Sequence, residues 1–165
     1  VLSSDMRAQM ILYAGGYKVL GCPSLAAPFN TQKGWYDASA GYVLGYNYLG
    51  GHTNTPWPAA ATWLSPQKLT GDSVNNDPMA PLITDVNNWS QGYGAVVAPH
   101  TRGGPVLLGD DFGTVYPVGK TAADIGAAGG NVGLLDGSVG WRNIKVMQAY
   151  RGAQKNPTDG CWAMW

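Results

Sequence analysis

Apolar positions recur along this chain with two different periods, and the period sorts the chain into elements. Met6, Met10 and Tyr13 fall near helical spacing. Ser3 or Ser4 is placed to cap a helix over about Asp5 to Ala14, Asp5 suits its positive end, and Gly15-Gly16 ends it. Tyr17 to Gly21 reads as a short strand running into Cys22-Pro23-Ser24, followed by a loop over 25–37. From Gly41 to Leu49 the period becomes two, with Tyr42, Leu44, Tyr46 and Tyr48 on one face of a strand. Ala80 to Asp85, Val106 to Leu108 and Val132 to Trp141 are further strand segments. Between them, 50–62 is a Gly/Pro/Ala loop carrying His52 and Trp57. "SPQKL" at 65–69 could open one helical turn, and "VNNWSQGYG" at 86–94 reads as a polar loop. The tail from Gln148 has weak regularity and ends in two aromatic anchors, Trp162 and Trp165.

Composition strengthens the β-and-loop reading. All ten acids are Asp, and there are 24 Gly and 11 Pro, residues that favour turns over helix interiors. Length suits one domain with a real core. Only 12% of residues are charged, against roughly 25% in ordinary soluble domains. A surface so short of charge and rich in Trp and Tyr suits a protein that packs against others. Net charge is zero with no basic cluster, which argues against nucleic acid as a partner. No apolar run reaches the roughly 20 residues of a membrane span. The chain opens at Val1 rather than Met, which reads as a processed form or part of something longer.

Candidate chemistry is sparse. Cys22 and Cys161 stand in no zinc spacing. A disulfide between them would close a loop of about 140 residues, worth roughly 5 kcal/mol, and would imply an oxidising compartment. The alternative is two unrelated buried thiols. Asp110 and Asp111 sit together in "GDDFG", and with Asp85 and Asp124 could offer oxygen ligands to calcium, although no named calcium loop is matched. The bland reading is a solvated acidic turn. His52 and His100 have no evident Ser or Cys partner, and no G-x-S-x-G occurs. Trp35, Trp57, Trp63 and Trp89 could stack sugars. Asn88-Trp89-Ser90 is a glycosylation sequon. Residues 100–111 and 126–137 echo one another at an offset of 26, which raises the question of an internal repeat.

The most specific stretch is "GGNVGLLDGSVGW" at 129–141. Asp136 there is either a ligand or acid, or half of an Asp-Gly hairpin turn; the two-residue type I′ turn is the expectation. With Arg142, this run (Gly129, Gly130, Asn131, Val132, Leu135, Asp136, Gly137, Ser138, Val139 and Trp141) resembles the C-terminal signature of bacterial type IV pilin-like and type II secretion pseudopilin-like proteins. These are the prepilin-type processing-associated group, whose motif is His, nine residues, Asp-Gly. "YKVLGCPS", "AGYVLGYNYLGG" and "LSPQKL…PLITD" are similar to its upstream segments at lower density. The chain departs from the motif in having Gly126 where the His would stand. His100 is either that His displaced by an insertion, or the start of a second version ending at Asp110-Asp111.

The resemblance implies a pilin-like α+β fold. The end of an N-terminal helical segment (1–16), largely missing here, would pack on an antiparallel sheet with long Gly/Pro/aromatic loops (17–165). It implies a structural subunit of an extracellular or envelope filament rather than an enzyme. Its partners would be copies of itself and secretion-system components, with the membrane reached only through the missing helix. Some pseudopilins bind calcium, which is the one cofactor implied. A secreted carbohydrate-binding β-domain using Trp and Tyr platforms is the alternative, and an Asp-dependent hydrolase a weaker third.

Overall fold

Strand pairing, not helix packing, organises the molecule. A computed structural model describes residues 2–27, 29, 35–37, 41–51, 63, 65–66, 79–92, 94–152 and 161–165. Among these residues one α-helix, α1 (Ser4–Ala14), is followed by a 3₁₀ turn (Tyr17–Leu20) and eleven strands. The strands are β1 (Trp35–Asp37), β2 (Gly41–Val43), β3 (Tyr46–Tyr48), β4 (Pro81–Asp85), β5 (Asn88–Ser90) and β6 (Ala95–Ala98). They continue with β7 (Val106–Gly109), β8 (Gly129–Leu134), β9 (Val139–Asn143), β10 (Ala149–Gly152) and β11 (Cys161–Met164). All pairing between them is antiparallel: a β1-β2 ribbon, a four-stranded sheet β3-β4-β8-β9 and a five-stranded sheet β10-β11-β5-β6-β7. The fold class is therefore α+β. Among the described residues no helix is long and apolar enough to cross a membrane.

Local chemistry sets the helix as expected. Of the two candidate caps, Ser3 is used: its Oγ accepts from the Met6 N–H at 3.1 Å. Gly15 closes the helix at φ +71°. No residue of α1 is buried. Met10 and Ile11 rest on a small cluster of Leu2, Leu20 and Leu44, while Leu12 and Tyr13 are 71% and 85% exposed.

Several sequence expectations are corrected. Tyr17–Leu20 is a 3₁₀ turn rather than a strand. The single alternating strand expected over 41–49 is instead two strands in different sheets, each half-buried throughout and separated at Leu44-Gly45. There the Gly45 N–H bonds the Leu20 carbonyl at 3.0 Å, and a side chain at 45 would collide with the Cys22 backbone. The polar run "VNNWS" is not all loop, because Asn88–Ser90 pairs with both β6 and β11. The irregular tail contains the β10-β11 hairpin, whose β11 residues alternate buried and half-buried. Its end is an anchor indeed. Trp165 is 4% exposed, stacks on Tyr150 at 4.5 Å and meets the Trp63 ring edge-on at 5.6 Å. Such ring pairs add about 0.5–1.5 kcal/mol each beyond burial. The 26-residue echo is not a structural repeat, since Gly103 and Gly104 lie in a turn whereas Gly129 and Gly130 begin β8. His52 and Trp57, with the turn expected at 67–69, lie outside the described residues.

The main core lies where the two larger sheets meet: Val132 and Leu134 of β8 pack with Ala163, Trp165, Leu49, Trp63 and Met147. β4 and β5 belong to different sheets and are joined only by Val86 and Asn87, both buried. This crossing point positions the polar groups described next.

Candidate functional site

Asp85 ends β4 and is 4% exposed. A buried carboxylate demands donors, and three converge on its Oδ2. They are the Asn131 backbone N–H at 2.6 Å, Asn131 Nδ2 at 3.0 Å and His100 Nε2 at 3.0 Å. His100 follows the buried Pro99 after β6, so the contact ties both sheets to one side chain. The His100 carbonyl also accepts from the Ala128 N–H at 2.7 Å, just ahead of β8, and the Trp141 ring meets the imidazole at 5.3 Å. With Nε2 donating to Asp85, the neutral imidazole carries its acceptor at Nδ1.

A second polar layer supports the first. Asn47 and Asn88 exchange amide hydrogen bonds at 3.0 and 2.8 Å, and Asn47 also donates to Thr84 Oγ1 and the Asp85 carbonyl. The sequon residue Asn88 thus has its amide engaged in the fold. Asn87, fully buried, donates to the Gly129 carbonyl at 3.2 Å, while its Oδ1 has no partner among the described residues. The glycine pair of the signature stretch is explained here. A Cβ on Gly130 would sit 2.9 Å from both Asn87 Nδ2 and Asp85 Cβ, and one on Gly129 would overlap the Arg142 carbonyl oxygen.

Beside Asp85 opens a cleft of about 270 Å³, lined among others by Cys22, Ser24, Tyr46, His100 and Val139. Burial, with the Asp85 charge adding to it, pushes the Cys22 thiol up from its ordinary pKa. Burial first, then Cys22 and Asp85, does the same to the Tyr46 phenol. Both are therefore protonated at neutral pH. Among the described residues the His100 side chain hydrogen-bonds Asp85 and neither Cys22 nor Ser24, so no nucleophile–base pair is assembled between them.

Of the residues singled out from sequence, Asp85, His100, Asn131, Gly129, Gly130 and Trp141 come together. Asp136 and Gly137 do not: they form the exposed tip of the β8-β9 hairpin. That turn has three residues rather than the expected two, with Leu134 and Ser138 closing it and Gly137 at φ +88°. Asp136 Oδ1 accepts from the Ser138 hydroxyl and N–H at 2.7 and 2.8 Å, which holds its carboxyl below the usual range. Its carboxylate serves its own turn.

The expected calcium site at Asp85, Asp110 and Asp111 is not assembled. Asp85 is committed to Asn131 and His100, and Asp124 to Thr121. Asp110 stands exposed in a 3₁₀ turn after β7, and the Asp111 side chain lies outside the described residues. Among the described residues no three His, Cys, Asp or Glu side chains draw together as a metal requires. The expected Cys22–Cys161 disulfide is likewise absent. The two thiols are buried apart and not joined to each other, Cys22 packing with Leu25, Val86 and Val97 while Cys161 sits on β11 opposite Gly152.

The roles of Tyr46, Asn47 and Asn87 escaped the sequence reading. The available signal was the Asn87-Asn88 pair immediately after a strand, two amides that a half-buried chain must satisfy. No protein-family model, curated protein or solved structure matches the chain.

Proposed function

We propose that this chain is a pilin-like subunit of an extracellular or envelope filament, acting by self-assembly and surface contacts rather than by catalysis. The observation that carries the reading is α1. It is well capped at both ends, yet buries none of its residues and leaves Leu12 and Tyr13 at 71% and 85% exposure. Helices draw most of their stability from packing an apolar face. A first helix that turns Leu12 and Tyr13 away from its own domain is suited to packing against helices of neighbouring copies. The resemblance at 129–142 agrees with this, and so does the low charge of the surface. Secretion-system components would be further partners.

The test is sedimentation across concentration of the protein as its source makes it, with its intact mass. Assemblies that grow with concentration, and dissolve in a Leu12→Asp/Tyr13→Asp variant of unchanged circular dichroism, are the expected result. A wild-type protein that stays monomeric at every concentration overturns the proposal. A carbohydrate-binding domain is the second reading, favoured by Trp141 at 52% exposure on the edge strand β9 and by the Tyr36–Tyr42 ring pair at 4.9 Å. It predicts a monomer retained on polysaccharide, with retention lost in Trp141→Ala.

A further inference from the structure

The Asp85 carboxylate has two oxygens, and the fold uses one. Oδ2 receives all three hydrogen bonds described above, while Oδ1 accepts none from the described residues, although the side chain is among the most buried polar groups of the chain. Oδ1 is not among the buried polar atoms that lack a partner, so it stays open to a donor from outside the chain. Asp85 lines the cleft together with His100, Tyr46 and Val139.

We propose that this cleft binds an organic cation, a primary ammonium group on a short apolar stem, with Asp85 as its counter-charge. Among the described residues no Lys or Arg lines the cleft, and Asp85 is the one carboxylate there. With a neutral His100 beside it, the local field is negative and favours a cation. One carboxylate supplies too few oxygens for a hard metal ion, which takes six or more. An ammonium group needs fewer partners: Asp85 Oδ1, with His100 Nδ1 and the Tyr46 hydroxyl as further acceptors on the same walls. The remaining surface is suited to a hydrocarbon stem, since Pro23, Ile83 and Val139 contribute to it. A volume of about 270 Å³ limits the occupant to a small molecule or one side chain.

This site is independent of filament assembly, and its test does not require it. The full chain is titrated with n-butylammonium, with n-butanol as the neutral equivalent and with Nα-acetyl-lysine amide. Amide shifts around Asp85, Tyr46 and Val139 are followed by NMR. Saturable n-butylammonium binding, weaker for n-butanol by about tenfold or more, is the expected result. Asp85→Asn should weaken it similarly. Val139→Arg brings a competing cation to the rim from a residue 69% exposed, so it tests the cleft without disturbing the carboxylate. It should abolish binding while leaving the circular dichroism unchanged. Binding of Nα-acetyl-lysine amide equal to that of n-butylammonium would assign the cleft to a protein lysine. Preference for the free amine would assign it to a small molecule. Equal binding of n-butanol and n-butylammonium, full binding in a folded Asp85→Asn or Val139→Arg protein, or no saturable shift at all would overturn the proposal.

Discussion

Helix α1 and the Asp85 junction are opposite ways of making a piece of structure. The helix is assembled from neighbours in sequence: Ser3 caps it, Gly15 closes it, and its contacts with the rest of the chain come from residues such as Met10 and Ile11 on one small cluster. The junction is assembled from residues far apart in sequence, with Asp85 reaching Asn131 across 46 positions and His100 across 15. The helix forms for local reasons and leaves Leu12 and Tyr13 facing outward. The junction has no local reason to form and commits its polar side chains to one another. The difference teaches that order and commitment are separable, since a segment can be regular without being bound to the domain that carries it.

The comparison breaks most severely at Gly129. At φ +149°, with the Arg142 carbonyl oxygen where a side chain would begin, Gly129→Ala should cost about 3 kcal/mol and shift the urea midpoint of the whole domain. A folded variant of near wild-type stability would mean that the β8-β9 pairing is looser than described. Next comes Asp85→Ala, which strands the Asn131 and His100 donors and should cost about 2–3 kcal/mol with an unchanged denaturant slope. Its effect should be global because both larger sheets lose a common tie.

The helix should respond differently. Ser3→Ala removes the cap and should cost the helix about 1 kcal/mol, read as faster amide exchange at Met6 and its neighbours with little movement of the global midpoint. A global loss of that size would show α1 to be more firmly committed than its exposure suggests.

The smallest effect belongs to the hairpin tip. The Ser138 hydroxyl and then its N–H hold Asp136 below the usual carboxylate range. The unfolded chain takes up its proton near pH 3.9, before the folded one does. Whatever the turn contributes through this group is thus complete above about pH 4 and lost as pH falls through the lower folded value. The Ser138 amide proton should titrate below 3.9, and Asp136→Asn should remove that titration; a midpoint at the free-Asp value would show that the turn's bonds are not held in solution.

What was legible follows the same division. The cap, the closing glycine, the β4 and β7 segments and the Asp-Gly hairpin carry their signals in adjacent residues, so a reading of local pattern finds them. The β5 strand was not legible because "NNWS" has the composition of a turn. It becomes a strand only by lying between β6 and β11, where Trp89 stacks on Trp162 at 6.3 Å. Asp85, His100 and Asn131 were each noticed, but as a calcium ligand and as parts of a motif. Nothing in their spacing says that the first accepts hydrogen bonds from the other two. The three-residue turn at 135–137 shows the finer limit. Asp-Gly announces a hairpin, while the Asp136–Ser138 hydrogen bonds that accompany the longer loop involve a residue beyond that pair.

The two thiols have a use that comes from their not being joined to each other. Cys22 lies under the junction, and Cys161 at the start of β11, the second strand of the five-stranded sheet. Each is hidden from alkylating reagents until its own surroundings open, and the two are told apart by the mass of the peptide that carries the label. A timed pulse of reagent in mild denaturant therefore reports on two parts of the protein at once, with no residue changed. Equal labelling rates would mark one cooperative unit, and unequal rates would name the half that lets go first.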